Sequence, residues 1–138
     1  MTSQQAQDFA NVLESLRDAY EKYRTLQEQE HAHLNRKGAI AEWNVLVRQK
    51  HLALKAAKDM ASAANHLQQQ WQSLGDRRSR PEYKAVREKL SQLQALLTRI
   101  LTCDRMNETL LYHGGYLQSV VAYRSASMAN SGLNGFGG

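Results

Sequence analysis

The sequence has few of the residues that most other protein classes depend on. It contains one cysteine, one proline and two phenylalanines in 138 residues. A lone cysteine, Cys103, excludes an internal disulfide and fits a reducing compartment. The scarcity of proline, together with abundant Gln, Ala, Leu and Arg, favours long helices over a sheet. The composition therefore predicts an all-α protein.

Long apolar runs and targeting signals are also missing. No run approaches the roughly 18 apolar residues that a membrane-spanning helix needs. The first residues, MTSQQAQDFANVLESL, lack the basic and apolar regions of a signal peptide. We expect a cytoplasmic protein without membrane insertion.

Motifs for catalysis or for holding a cofactor are absent as well. No pair of the five histidines has the i, i+4 spacing that directs two imidazoles at one metal. Cys103 has no CxxC partner, and the pair Gly114-Gly115 interrupts a helical pattern and does not form a phosphate loop. The sequence predicts no enzyme, no cofactor and no small-molecule substrate.

Three amphipathic stripes account for most of the chain. Apolar residues recur every three or four positions, as on one face of a helix, in the ranges 2–37, 39–74 and 80–113. Each stripe is bounded by residues that commonly end or begin a helix. We expect Gly38 in the left-handed conformation that ends the first helix and Gly75 at the end of the second. Capping boxes are predicted at Thr2 with Gln5 and at Ser79 with Glu82, with Pro81 in the first turn of the third helix.

The lengths of the three helices predict how they pack. Each spans roughly 50 Å at 1.5 Å per residue, so short turns give an antiparallel up-down-up three-helix bundle or coiled coil over residues 1–113. Trp43 and Trp71 are expected to anchor its two ends. Residues 114–124 then form a C-terminal amphipathic extension, and residues 125–138, rich in Gly, Ser and Asn, are predicted to be a mobile tail.

Three polar residues interrupt the predicted apolar stripes. For Lys50 we expect the aliphatic stem to lie along the core while the ammonium reaches water. Asp104 and Asn107 are expected to set helix register or partner choice, as buried polar residues do in coiled coils.

The order of these features resembles the flagellar export chaperones of the FlgN type, which escort hook-associated proteins. The matching features are Glu30 and Leu34 before the break at Gly38, then Leu46, Lys50 and Leu54, and later the run DRMNETLL at 104–111. The resemblance covers roughly residues 10–124. The continuous C-terminal helix of that family is interrupted here by Gly114-Gly115.

The resemblance implies a function and a set of site residues. Such chaperones bind the helical termini of unassembled hook-associated proteins, keep them monomeric and deliver them to the export gate. The surface that binds the exported cargo then falls on Met106, Leu110, Leu111, Leu117, Val120 and Val121. The same resemblance makes Tyr116 and Tyr123 candidates for contact with the export gate.

Two other functions remain open from the sequence. A net charge of +5 and the loop arginines Arg77, Arg78 and Arg80 suggest a basic helical protein that binds nucleic acid. Against this, the basic residues form no long stripe and do not alternate with aromatic residues. The second alternative is a coiled-coil scaffold or adaptor whose exposed apolar face forms a homodimer.

Overall fold

The computed structural model describes residues 1–113, and the account that follows is of these residues. The long helices are α1 (Ser3–Asn35), α2 (Ile40–Ala63) and α4 (Lys84–His113), with a short α3 (Asn65–Ser73). Two 3₁₀ turns, Gly75–Ser79 and Pro81–Tyr83, join α3 to α4. Within the described residues there is no strand, which confirms the all-α prediction.

Helix α1 lies between the other two long helices and packs closely against both α4 and α2. Its contacts with α4 run in the same chain direction, from Arg17 with Gln92 to His31 with Asn107. Helix α2 runs the opposite way. Helices α2 and α4 approach each other less closely than either approaches α1. The bundle is therefore more open between α2 and α4 than along its other two sides.

The start of α1 follows the predicted capping box. The Thr2 hydroxyl accepts a hydrogen bond from the Gln5 backbone N–H at 3.1 Å, and the Thr2 N–H donates to Gln5 Oε1 at 2.8 Å. These two bonds satisfy donors at the helix start that have no partner within the helix.

The turn between α1 and α2 differs from the prediction. Helix α1 ends at Asn35, and the left-handed residue is Lys37, with φ of 51°, not Gly38. Gly38 lies against the imidazole of His33, a side chain that is only 1% exposed. A Cβ on Gly38 would overlap the imidazole of His33. The glycine is therefore required by close packing and not by its backbone angles.

Gly38→Ala is expected to lower the free energy of unfolding by about 1–3 kcal/mol, since the added methyl group overlaps a buried ring that has no room to move. A denaturant titration of the variant and the parent measures the loss. Lys37→Gly is the matched control: it relieves the left-handed backbone and should leave stability unchanged or raise it by up to about 1 kcal/mol. A Gly38→Ala variant as stable as the parent would show that the His33 ring can shift.

The second predicted helix is divided in two. A turn at Ala64, with φ of −92° and ψ of 4°, separates α2 from α3, although neither glycine nor proline is present there. The Ala64 N–H is shared between the carbonyls of Met60 and Ala61, so the chain tightens locally at that residue. Helix α3 then places Trp71 in the core.

In the connection to α4, the predicted helix end at Gly75 is confirmed and the predicted capping box at Ser79 and Glu82 is wrong. The helix stops before Gly75, as predicted, and Gly75 has the left-handed φ of +57°. The predicted capping box at Ser79 and Glu82 is not formed: the Ser79 hydroxyl donates to the Asp76 carbonyl at 2.9 Å, inside a 3₁₀ turn. Pro81 opens the second 3₁₀ turn, and α4 begins only at Lys84.

The predicted tryptophan anchors lie at opposite ends of the bundle, and both are buried. Trp71 belongs to the larger core cluster, near the start of α1, with Phe9, Leu13, Tyr83 and Val86 among its members. Trp43 belongs to a smaller cluster beside the α1–α2 turn, which contains Leu34, Trp43, Val47 and Leu111.

Candidate partner-binding surfaces

The middle of the bundle contains a group of buried polar side chains, which we call the central network. Each long helix contributes to it: Tyr23, Gln27 and Glu30 from α1, Trp43 and Lys50 from α2, and Asp104 and Asn107 from α4. Glu30 has three partners. Its Oε1 accepts from Lys50 Nζ at 2.8 Å and from Asn107 Nδ2 at 2.8 Å, while its Oε2 accepts from the Trp43 indole N–H at 3.1 Å.

Lys50 occupies a different environment from the one predicted. Its side chain is buried, and its ammonium points into the bundle and not to water. Besides Glu30, Lys50 Nζ lies 3.7 Å from Asp104 Oδ1 and 5.4 Å from the centroid of the Tyr23 ring. Two carboxylates and an aromatic face hold the ammonium in the core, because together they compensate part of its lost hydration. The prediction of a solvent-reaching lysine was wrong.

The amides of the central network join α1 to α4 at defined positions. Asn107 Nδ2 also reaches the Gln27 carbonyl at 3.3 Å, and Asn107 Oδ1 pairs with His31 Nδ1 at 2.9 Å. Gln27 Nε2 donates to the Ile100 carbonyl at 2.9 Å and to Asp104 Oδ1 at 2.7 Å. Sliding either helix by one turn would leave these buried groups without partners, so the network fixes helix register.

Burial alters the acid–base behaviour of two members of the network. Desolvation raises the pKa of the Asp104 carboxyl above its usual value, while Lys50 and the hydrogen bond from Gln27 oppose that rise. Burial also raises the pKa of the Tyr23 hydroxyl, and the nearby charges of Asp104 and Glu30 raise it further. Tyr23 therefore remains neutral and donates to Asp104 Oδ1 at 3.4 Å.

The structure describes three of the six predicted cargo residues. Met106 is 50% exposed on α4, and Leu110, one turn later on the same side, is partly buried against the cluster beside the α1–α2 turn. Leu111 is buried in that cluster with Leu34 and Trp43. Its inclusion in an exposed cargo surface is therefore corrected: residue 111 lies on the side of α4 that packs against α2.

The remaining predictions lie outside the described residues. They are the cargo residues Leu117, Val120 and Val121, the export-gate candidates Tyr116 and Tyr123, the extension 114–124 and the tail 125–138.

An exposed apolar surface on α2 was not predicted. Val45 is 51% exposed and Leu52 66% exposed, on the side of α2 that faces away from α1. We call this surface the outer α2 face; its exposed members are Val45, Gln49, Leu52, Ala56 and Ala63, and the partly buried Leu46, Ala53 and Met60 lie along the edge of it that borders the core. The apolar pattern in the sequence predicted only the core-facing side of α2. The available signal was the absence of charge at positions 45, 49, 52 and 56, on the opposite side of the helix.

The loop arginines are partly engaged in the loop itself. Arg77 Nε donates to the Leu74 carbonyl at 3.4 Å, and Arg78 Nε donates to the Gly75 carbonyl at 3.0 Å. Arg80 lies 3.8 Å from Glu82. These contacts satisfy carbonyls at the end of α3, which is a local structural role for the basic loop.

Comparisons with protein families, with curated proteins and with solved structures find no match to this chain. None of the described helices combines the length and the apolar character needed to cross a membrane. In residues 1–113 no three His, Cys, Asp or Glu side chains are grouped so that they could hold a metal ion.

Proposed function

We propose that the protein is a cytoplasmic chaperone of type III flagellar export. In this proposal it binds the hydrophobic helical termini of unassembled hook-associated proteins, keeps them monomeric and delivers them to the export apparatus. The resemblance to chaperones of the FlgN type supports this function, and the all-helical bundle is compatible with it.

The observation that carries the proposal is the apolar strip at the end of α4. Met106 is half exposed and Leu110 is only partly covered, and the two lie one turn apart on one side of the helix. In the sequence, Leu117 and Val121 follow at distances that continue the same helical spacing. An apolar helix face without a partner in its own bundle is suited to bind another amphipathic helix.

The first experiment identifies the cargo by pull-down from the native host with mass spectrometry. Met106→Asp should then weaken binding of the helical terminus of that cargo about 10- to 100-fold, because the new carboxylate must lose water without gaining a partner. Its melting temperature should stay close to that of the parent, since the side chain is half exposed. Calorimetric titration measures the affinity.

Leu101→Asp is the matched control, because Leu101 is 51% exposed on another side of α4. It should bind cargo as the parent does. Equal losses from Met106→Asp and Leu101→Asp, or no loss from either, would contradict a cargo site on the Met106 strip. Recovery of no hook-associated protein in the pull-down would contradict the export function itself.

A further inference from the structure

The outer α2 face is the most exposed apolar surface in the described part of the chain. Leu52, at 66%, is more exposed than any other large apolar side chain described. The face extends from Val45 to Ala63, about 27 Å of helix at 1.5 Å per residue. No charged side chain lies among its eight members. Such a continuous face is typical of a protein–protein contact.

Large exposed side chains lie in the first half of this face and small ones in the second. Val45 and Leu52 project from it, while the exposed Ala56 and Ala63 are small. A second helix with the same sequence, running the opposite way about the middle of the face, would place Leu52 near Ala56 and Val45 near Ala63 of the first. The shape of the face is therefore complementary to itself.

The charges beside the face favour the same arrangement. Arg48 and Asp59 lie on one edge of it, and their midpoint falls between Ala53 and Leu54. If two α2 helices pack antiparallel about that midpoint, each Arg48 faces Asp59 of the second copy, while Lys55 faces Leu52 and Lys58 faces Gln49. Parallel packing about a two-fold axis would instead set this edge against the opposite edge of the second copy, where Leu46, Ala53 and Met60 lie, and would leave Arg48 and Asp59 without partners. Opposite charges across the edge therefore select the antiparallel pair.

The groups needed for these ion pairs are accessible. Arg48 is exposed and has no ion-pair partner among residues 1–113. Asp59 is exposed, and among residues 1–113 its one hydrogen bond is from Lys55, at 2.8 Å, on the surface of the same helix. A surface pair of this kind is weak enough for Asp59 to accept a second cation.

We propose that a second copy of this chain docks on the outer α2 face, giving a symmetric dimer in which the two α2 helices run antiparallel. The contact is isologous, so each residue pair occurs twice across the two-fold axis. It leaves the Met106 strip of α4 free and is independent of the proposed export function.

Sedimentation equilibrium of the full chain over a range of concentrations tests the proposal. The parent should dimerise, and Leu52→Glu should weaken the dimer at least about 100-fold, because two carboxylates would be buried at the contact. Met106→Glu adds the same charge at a half-exposed position on α4 and should not change the dimer. Circular dichroism confirms that both variants stay folded. A monomeric parent, or a dimer that Leu52→Glu does not weaken, would overturn the proposal.

A charge exchange tests the antiparallel arrangement. Arg48→Asp or Asp59→Arg alone should weaken the dimer about five- to tenfold, since each change replaces two attractive pairs by two repulsive ones. The double variant Arg48→Asp/Asp59→Arg should recover the parent affinity. Failure of the double variant to recover would exclude the pairing of Arg48 with Asp59 and, with it, the proposed dimer.

Discussion

Replacing Lys50 with methionine is expected to lower the free energy of unfolding by about 3–5 kcal/mol. Methionine fills most of the space of the lysine stem but brings no positive charge. Glu30 and Asp104 would then face each other in the core without the ammonium that lies 2.8 Å and 3.7 Å from their oxygens. The free energy is measured by denaturant unfolding, followed by far-ultraviolet circular dichroism.

The pH dependence of the Lys50→Met variant provides a second measurement. Burial already raises the pKa of the Asp104 carboxyl, and loss of the ammonium removes the main influence that opposes this rise. A carboxyl with a raised pKa in the folded state contributes stability below its unfolded pKa and loses it as the pH rises through the folded pKa. The deficit of the variant relative to the parent should therefore be largest at neutral pH and shrink as the solution is acidified.

Two comparisons isolate the role of the buried charge. Adding Glu30→Gln to Lys50→Met should recover part of the loss, because one of the two uncompensated carboxylates is removed. Lys55→Met removes an equally short ion pair on the exposed side of α2, with Asp59, and should cause no measurable change. A loss below about 1 kcal/mol for Lys50→Met would mean that water enters the central network and solvates Glu30.

Trp71→Ala, in the core cluster near the start of α1, is expected to lower the free energy of unfolding by about 3–5 kcal/mol. The indole is 6% exposed and lies between two aromatic rings. Its centroid is 6.2 Å from that of Phe9 and 5.7 Å from that of Tyr83, the latter in an edge-on arrangement with an interplanar angle of 88°. Truncation removes these contacts and leaves a cavity where α1, α3 and the start of α4 meet.

Denaturant unfolding measures this loss too, and fluorescence of the remaining tryptophan, Trp43, reports whether the opposite end unfolds in the same transition. Tyr112→Ala is the control: the ring is 61% exposed, and its removal should change stability by less than about 0.5 kcal/mol. A loss below about 1 kcal/mol for Trp71→Ala would show that the indole is not part of the core.

The sequence could predict part of the candidate sites and not the rest. The resemblance to the FlgN-type chaperones placed both Met106 and Leu111 on one cargo surface, whereas the structure exposes Met106 and buries Leu111. Only the position of α2 decides that Leu111 is covered and Met106 is not. The outer α2 face was missed for the same reason, because Leu46, Ala53 and Met60 extend it into the core without a break.

The environments of Lys50 and Gly38 also could not be predicted from the sequence, because both depend on residues brought close by folding. A lysine within an apolar stripe is usually solvated, and the carboxylates that hold this one come from positions 20 residues before it and 54 residues after it. A glycine after a helix usually takes the left-handed conformation. Here Lys37 takes it, and Gly38 instead lies against the His33 ring, a contact that only the folded turn creates.

By itself the sequence determined the local features of this protein. The helical period, the capping box at Thr2, the stop at Gly75 and the lack of sheet-forming or disulfide-forming residues specify an all-helical chain, because each depends on residues within a few positions of one another. Tertiary structure alone decided which polar groups pair in the core and which apolar residues stay exposed. Those outcomes depend on which helices are neighbours and on how closely they pack. Here α2 approaches α1 more closely than it approaches α4.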